Sequence, residues 1–112
     1  MIYEVYHNAF GDKDIHVANV TVDDTVPVKT ALEIVFRKTN NIEGSWSKGP
    51  TYVWEGETFD NPDYSENVEV IAPLKKGKDG NTYGLRSTSV GDYVVVNGTK
   101  YNCEMVGWKE AA

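Results

Sequence analysis

The chain is short of most of the residues that chemistry requires. It has one cysteine, Cys103, so no intramolecular disulfide can form, which fits a reducing compartment. It has two histidines, His7 and His16, and neither an H-x-x-x-H nor a C-x-x-C spacing, so no metal site is expected. There is no glycine-rich phosphate loop of either common form, and no G-x-S-x-G elbow. No apolar run approaches the length of a membrane span. Met1-Ile2-Tyr3-Glu4-Val5 lacks a basic stretch followed by an apolar one, so no secretion signal is expected and Asn19-Val20-Thr21 and Asn97-Gly98-Thr99 read as chance glycosylation patterns. Positive charge is scarce: 11 Lys and Arg stand against 17 Asp and Glu, a formal net charge of -6. That balance disfavours phosphate backbones and anionic membrane surfaces as direct partners.

What remains is a single domain, 1–112, of 112 residues. Hydrophobic residues make up 40% and aromatic ones 12%, a supply that favours β-structure over a helical bundle. Ile2 to Tyr6 and Ile15 to Val22 predict a first hairpin across a polar turn at Asn8 to Asp14. In the second strand, Ile15, Val17 and Asn19 are expected on one face, and His16, Ala18, Val20 and Val22 on the other. Asp23-Asp24-Thr25 offers helix-start chemistry with Pro27 in the first turn. Val28, Ala31, Leu32, Val35 and Phe36 then repeat at helical spacing, predicting one amphipathic helix at about 26–39, stopped near Asn40-Asn41. Short strands are expected at Thr51–Trp54 and Val68–Ile71, with loop between them from Glu55 to Asn67. Asp79-Gly80 is a candidate hairpin tip. Asn97-Gly98 between Tyr93–Val96 and Thr99–Val106 predicts a type I′ hairpin at 93–106. The fold class is therefore α+β: an antiparallel sheet of about five to six strands with one helix packed on it.

No catalytic set converges, so a non-enzyme without cofactor is expected. Cys103 falls within a strand, where it reads as a small buried hydrophobe. Arg86-Ser87-Thr88-Ser89 is hydroxyl-rich, but reads as a turn whose hydroxyls bond backbone groups, with Asp92 closing it. The stretch from Gly49 to Leu74 differs from the rest. It carries Glu55, Glu57, Asp60, Asp63, Glu66 and Glu69, no Lys or Arg, and the interleaved aromatics Tyr52, Trp54, Phe59 and Tyr64. A charge run is ordinarily a solvated face. Acidic residues around exposed aromatics also make a binding surface, with rings as anchors and the negative rim steering a basic partner. The candidate partner-binding residues are Trp54, Glu55, Glu57, Phe59, Asp60, Asp63 and Tyr64, together with Arg86, Ser87 and Ser89 of the adjacent turn.

Three stretches carry a resemblance: Phe36 through Trp46; Arg86 through Asp92; and Gly98 through Cys103 with Gly107-Trp108-Lys109-Glu110. Together they resemble small uncharacterised proteins of tailed bacteriophages. They are similar, more distantly, to the YodL-like domain, where an R-S-x-S-V-x-D stretch also precedes a hairpin ending in G-[FW]-x-E. Trp46, Gly91, Asp92, Asn97, Gly98, Gly107 and Trp108 are the structural part of this pattern, with Trp46 and Trp108 expected to cover opposite ends of the core. The resemblance implies an accessory protein of a phage or mobile element acting in the host cytoplasm. The expected function is to bind and occlude a host protein through the acidic, aromatic-rich face. One alternative is an acidic nucleic-acid mimic that inhibits a host defence nuclease or another DNA- or RNA-handling enzyme. Another is a small self-assembling structural protein. Monomer and homodimer both remain open, since a small sheet leaves an edge strand unpaired.

Overall fold

The computed structural model describes residues 1–11 and 13–111. It is α+β, with one six-stranded antiparallel sheet, one helix and two small hairpins. The sheet strands are β1 (Ile2–His7), β2 (Ile15–Thr21), β5 (Val68–Val70), β8 (Tyr93–Val96), β9 (Thr99–Cys103) and β10 (Trp108–Glu110), in the order β10-β9-β8-β1-β2-β5. The hairpins are β3 (Thr51–Trp54) with β4 (Glu57–Asp60), and β6 (Lys75–Lys76) with β7 (Thr82–Tyr83). The helix α1 spans Val28–Lys38.

Strict alternation along β1 puts Tyr3, Val5 and His7 inside. Cross-strand partners share a face, so Val20 and Ala18 opposite Tyr3 and Val5 join them. The register then jumps from Val5 opposite Ala18 to Tyr6 opposite His16, which makes Val17 the extra residue of a bulge. This corrects the simple alternation expected for β2: Val17 and Ala18 are consecutive, and both are buried. Val94 and Val96 extend the apolar face, and Ala31, Leu32 and Val35 of α1 cover it. The other face carries a row of rings, His16 on Tyr6 at 4.8 Å and Tyr6 on Tyr93 at 4.9 Å, ended by the Lys100 ammonium 4.1 Å from the Tyr93 centroid.

The helix starts without a side-chain cap, at Pro27. Asp23 instead accepts the Thr25 N–H at 2.9 Å and the Thr25 hydroxyl at 2.6 Å, and Asp24 pairs with the terminal amino group of Met1. These two carboxylates shape the turn before the helix rather than its first turn. At the other end Thr39 donates its hydroxyl to the Val35 carbonyl at 2.9 Å, and the Asn40 amide donates to the Phe36 carbonyl at 2.5 Å. Both bonds add a side-chain donor to carbonyls that the Thr39 N–H also reaches, at 3.1 and 3.3 Å.

Two strand boundaries differ from the sequence expectation. Residues 55–67 are not all loop, because Glu57–Asp60 pairs with Thr51–Trp54 through a tight turn at Glu55 and Gly56, with φ of 52° and 77°. The last hairpin keeps its Asn97-Gly98 turn, with φ of 49° and 76°. Its second strand stops at Cys103 rather than Val106, where Glu104 N–H bonds the Gly107 carbonyl and the chain returns as β10.

Candidate functional site

The Arg86–Asp92 turn is built around one buried carboxylate. Asp92 is fully buried. Its Oδ1 accepts the backbone N–H groups of Asn8 at 2.8 Å and Ala9 at 2.9 Å, and its Oδ2 accepts that of Ser89 at 2.7 Å. The Arg86 guanidinium grips both oxygens, at 2.9 and 2.7 Å. Burial alone would raise this carboxyl; the Arg86 bonds and the three amides outweigh burial and hold it at about 2. Beside it, His7 Nε2 stands 3.9 Å from Oδ2 and 3.0 Å from the Thr88 hydroxyl, which in turn donates to the Thr39 hydroxyl at 2.8 Å. Gly91 turns the chain at φ 99°, close against Ala9. The Trp46 indole N–H donates to the Arg86 carbonyl at 2.9 Å. Trp46 is not a cover but a core residue, while Trp108 lies half-buried edge-on to Phe36 at the far end of the sheet.

The structure therefore gives the motif residues internal work. Arg86 is bonded to Asp92, the Ser87 hydroxyl accepts the Asn41 N–H at 2.7 Å, and the Ser89 N–H is spent on Asp92. Asp63 behaves the same way: its carboxylate accepts the backbone N–H groups of Ile42, Glu43 and Gly44 at 2.6, 3.0 and 2.8 Å. These four residues tie the loops to one another.

The rest of the candidate set lies on or beside the β3–β4 hairpin. Register places Tyr52 opposite Phe59 and Trp54 opposite Glu57 on one face, and Val53 opposite Thr58 on the other. Tyr52 and Phe59 stack at 5.7 Å. Trp54 is half-buried, edge-on to Tyr83 at 5.0 Å, and the Lys48 ammonium lies 4.6 Å from the Tyr52 centroid and 5.0 Å from that of Trp54. Glu55 is latched at the turn: its N–H donates to Asn81 Oδ1 at 3.0 Å, and the Asn81 amide donates to its carboxylate at 3.1 Å. Every residue of β4 is exposed, Glu57, Thr58, Phe59 and Asp60 alike. Tyr64 is exposed on the loop that follows.

Three residues that hold this region were not singled out from the sequence. Asn61 is buried; its Oδ1 accepts the Ser45 N–H at 3.0 Å, and its amide donates to the Ser45 and Gly49 carbonyls at 2.6 and 2.8 Å. The Asn61-Pro62-Asp63 triplet is a legible turn signal, but the loop it clamps is not legible. Asn81 gives no sequence signal, because its partner Glu55 lies 26 residues away; the ring partners of Lys48, Tyr52 and Trp54, lie four and six residues along the chain.

His7 and His16 sit on opposite faces of the sheet, so they do not approach a shared ligand. Among the described residues no three His, Cys, Asp or Glu side chains are grouped to hold a metal ion. Cys103 is buried, and burial pushes its thiol up to about 11, which leaves it a poor nucleophile. Among the described residues no helix is long and apolar enough to cross a membrane. No protein-family model, curated protein or solved structure matches this chain.

Proposed function

We propose that this is a non-enzymatic binding protein, of the phage or mobile-element accessory kind that its motifs resemble, which engages a basic protein partner through the β3–β4 hairpin and acts by occlusion. One observation carries the reading: β4 is exposed at all four positions, yet it is firmly fastened. A hairpin that contributes so little to the core is nevertheless held by Asn61 at its base, Asn81 at its turn and Tyr83 against its side. Phe59, 40% exposed, shares its face of β4 with Glu57, and Asp60 follows it on the other face. An aromatic anchor flanked by a carboxylate suits a cationic protein surface. Within the set, Phe59 is the anchor, whereas Trp54 is the brace, since Tyr83 and Lys48 already occupy its edge and face.

Affinity capture from bacterial lysate with tagged protein, at low and high salt, tests this reading. The expected result is one stoichiometric basic partner, lost with Phe59→Ala and with Glu57→Lys while the melting temperature holds. Truncating an aromatic anchor should cost about thirtyfold in affinity. Equal capture by wild type and both variants, or no partner at either salt, overturns it. Affinity that collapses with salt and competes with DNA would assign the nucleic-acid mimic instead.

A further inference from the structure

We propose that a second site, a half-open cavity beside the start of β2, binds a small amphipathic anion: an apolar body carrying one carboxylate or similar acid group. The cavity measures about 370 Å³, within the range of small-molecule sites. Its floor is Val17 and its walls are Ile15, Ala72, Pro73 and Leu85. Ile15 keeps 42% of its surface in water and Tyr83, which also lines the cavity, keeps 44%.

The charge of the lining is the second observation. The chain has 17 Asp and Glu against 11 Lys and Arg, yet none of the lining residues is acidic and two, Lys75 and Arg86, are cationic. Arg86 is committed to Asp92, so the group that would meet an anion is Lys75 at the rim, which makes no ion pair among the described residues. The walls are built in advance. Lys75 pairs with Tyr83 across β6–β7, the Val17 carbonyl accepts the Ile71 N–H at 2.8 Å, and the Leu85 N–H donates to the Ser47 hydroxyl at 2.7 Å. A preformed apolar cavity with one cation at its mouth binds without an ordering cost and selects anions over cations. This site shares no residue with the exposed face of β4, and its one link to the hairpin is Tyr83, which lines the cavity and braces Trp54.

Calorimetric titration with decanoate, below its micellar concentration, tests the inference, with decyltrimethylammonium as the opposite-charge probe. Decanoate should bind saturably, one per chain, and more tightly than the cation. Lys75→Met should weaken decanoate about fivefold, the factor for one partly exposed ion pair, and narrow the gap between the probes. Ala72→Trp, which fills the cavity from its wall, should abolish binding. Absent saturable binding, equal binding of the two probes, or unchanged decanoate affinity in Lys75→Met overturns the inference. Should Ala72→Trp fail to fold by circular dichroism, the Lys75→Met titration decides alone.

Discussion

Asp92→Asn is the substitution that tests how the fold is closed. The asparagine is nearly isosteric, so no cavity opens. It keeps one acceptor oxygen and puts an NH2 where the other stood. In the native protein Oδ1 faces the Asn8 and Ala9 N–H groups and one Arg86 nitrogen, while Oδ2 faces Ser89 N–H and the other Arg86 nitrogen. Whichever way the amide turns, its NH2 confronts at least two donors, and the Arg86 charge loses its partner. Breaking a buried pair by removing one charge costs about 3–5 kcal/mol. The proton linkage gives a second figure. The carboxyl drops from 3.8 to about 2 on folding, a difference worth about 2 kcal/mol. Because the folded value is depressed, that stability is fully present above 3.8 and is lost as pH falls through about 2. Urea unfolding followed by tryptophan fluorescence reads this directly, since Trp46 is buried and bonded to the Arg86 carbonyl. At pH 7 the variant should lose about 3 kcal/mol, a midpoint shift of about 2 M urea. The loss should shrink towards pH 2, where the wild type has lost its own advantage. A loss below about 1 kcal/mol, or one that does not change with pH, would refute the reasoning, because an ordinary surface change costs less than that.

Two further perturbations probe the same region. Gly91→Ala forces a side chain to φ 99° and brings its Cβ within 3.3 Å of the Ala9 Cβ, so it should cost about 2 kcal/mol in urea unfolding; a neutral result would show that the turn relaxes freely. Burial holds the Cys103 thiol neutral up to about 11, so at pH 8 the folded protein should resist Ellman's reagent and label fully only in urea; stoichiometric labelling of the folded protein within minutes would place the thiol at the surface.

Much of the frame was legible in the residues. The 28–36 stripe marked the helix, and Asn97-Gly98 marked a turn in which both residues take positive φ. Both signals are local, because periodicity and turn chemistry act within a few residues. The misreadings share the opposite cause. The β2 bulge at Val17 follows from pairing with β1, and β4 exists only because β3 folds back on it; neither has a signature in its own stretch.

The candidate site divides along the same line. Composition and order alone determined an acidic α+β chain with one amphipathic helix, one lone cysteine and a concentration of carboxylates and aromatics between residues 49 and 74. Only the tertiary structure decided which of the chain's carboxylates face water. Asp63 turned inward onto three backbone amides and Asp92 onto three amides and a guanidinium, while Glu57 and Asp60 stayed outside. A carboxylate has the same chemistry in either place. Its role is set by the donors that folding brings within hydrogen-bonding reach: those of Asp63 lie about 20 residues away, and Asp92 joins two local donors, Ser89 and Arg86, to two more than 80 residues away, Asn8 and Ala9.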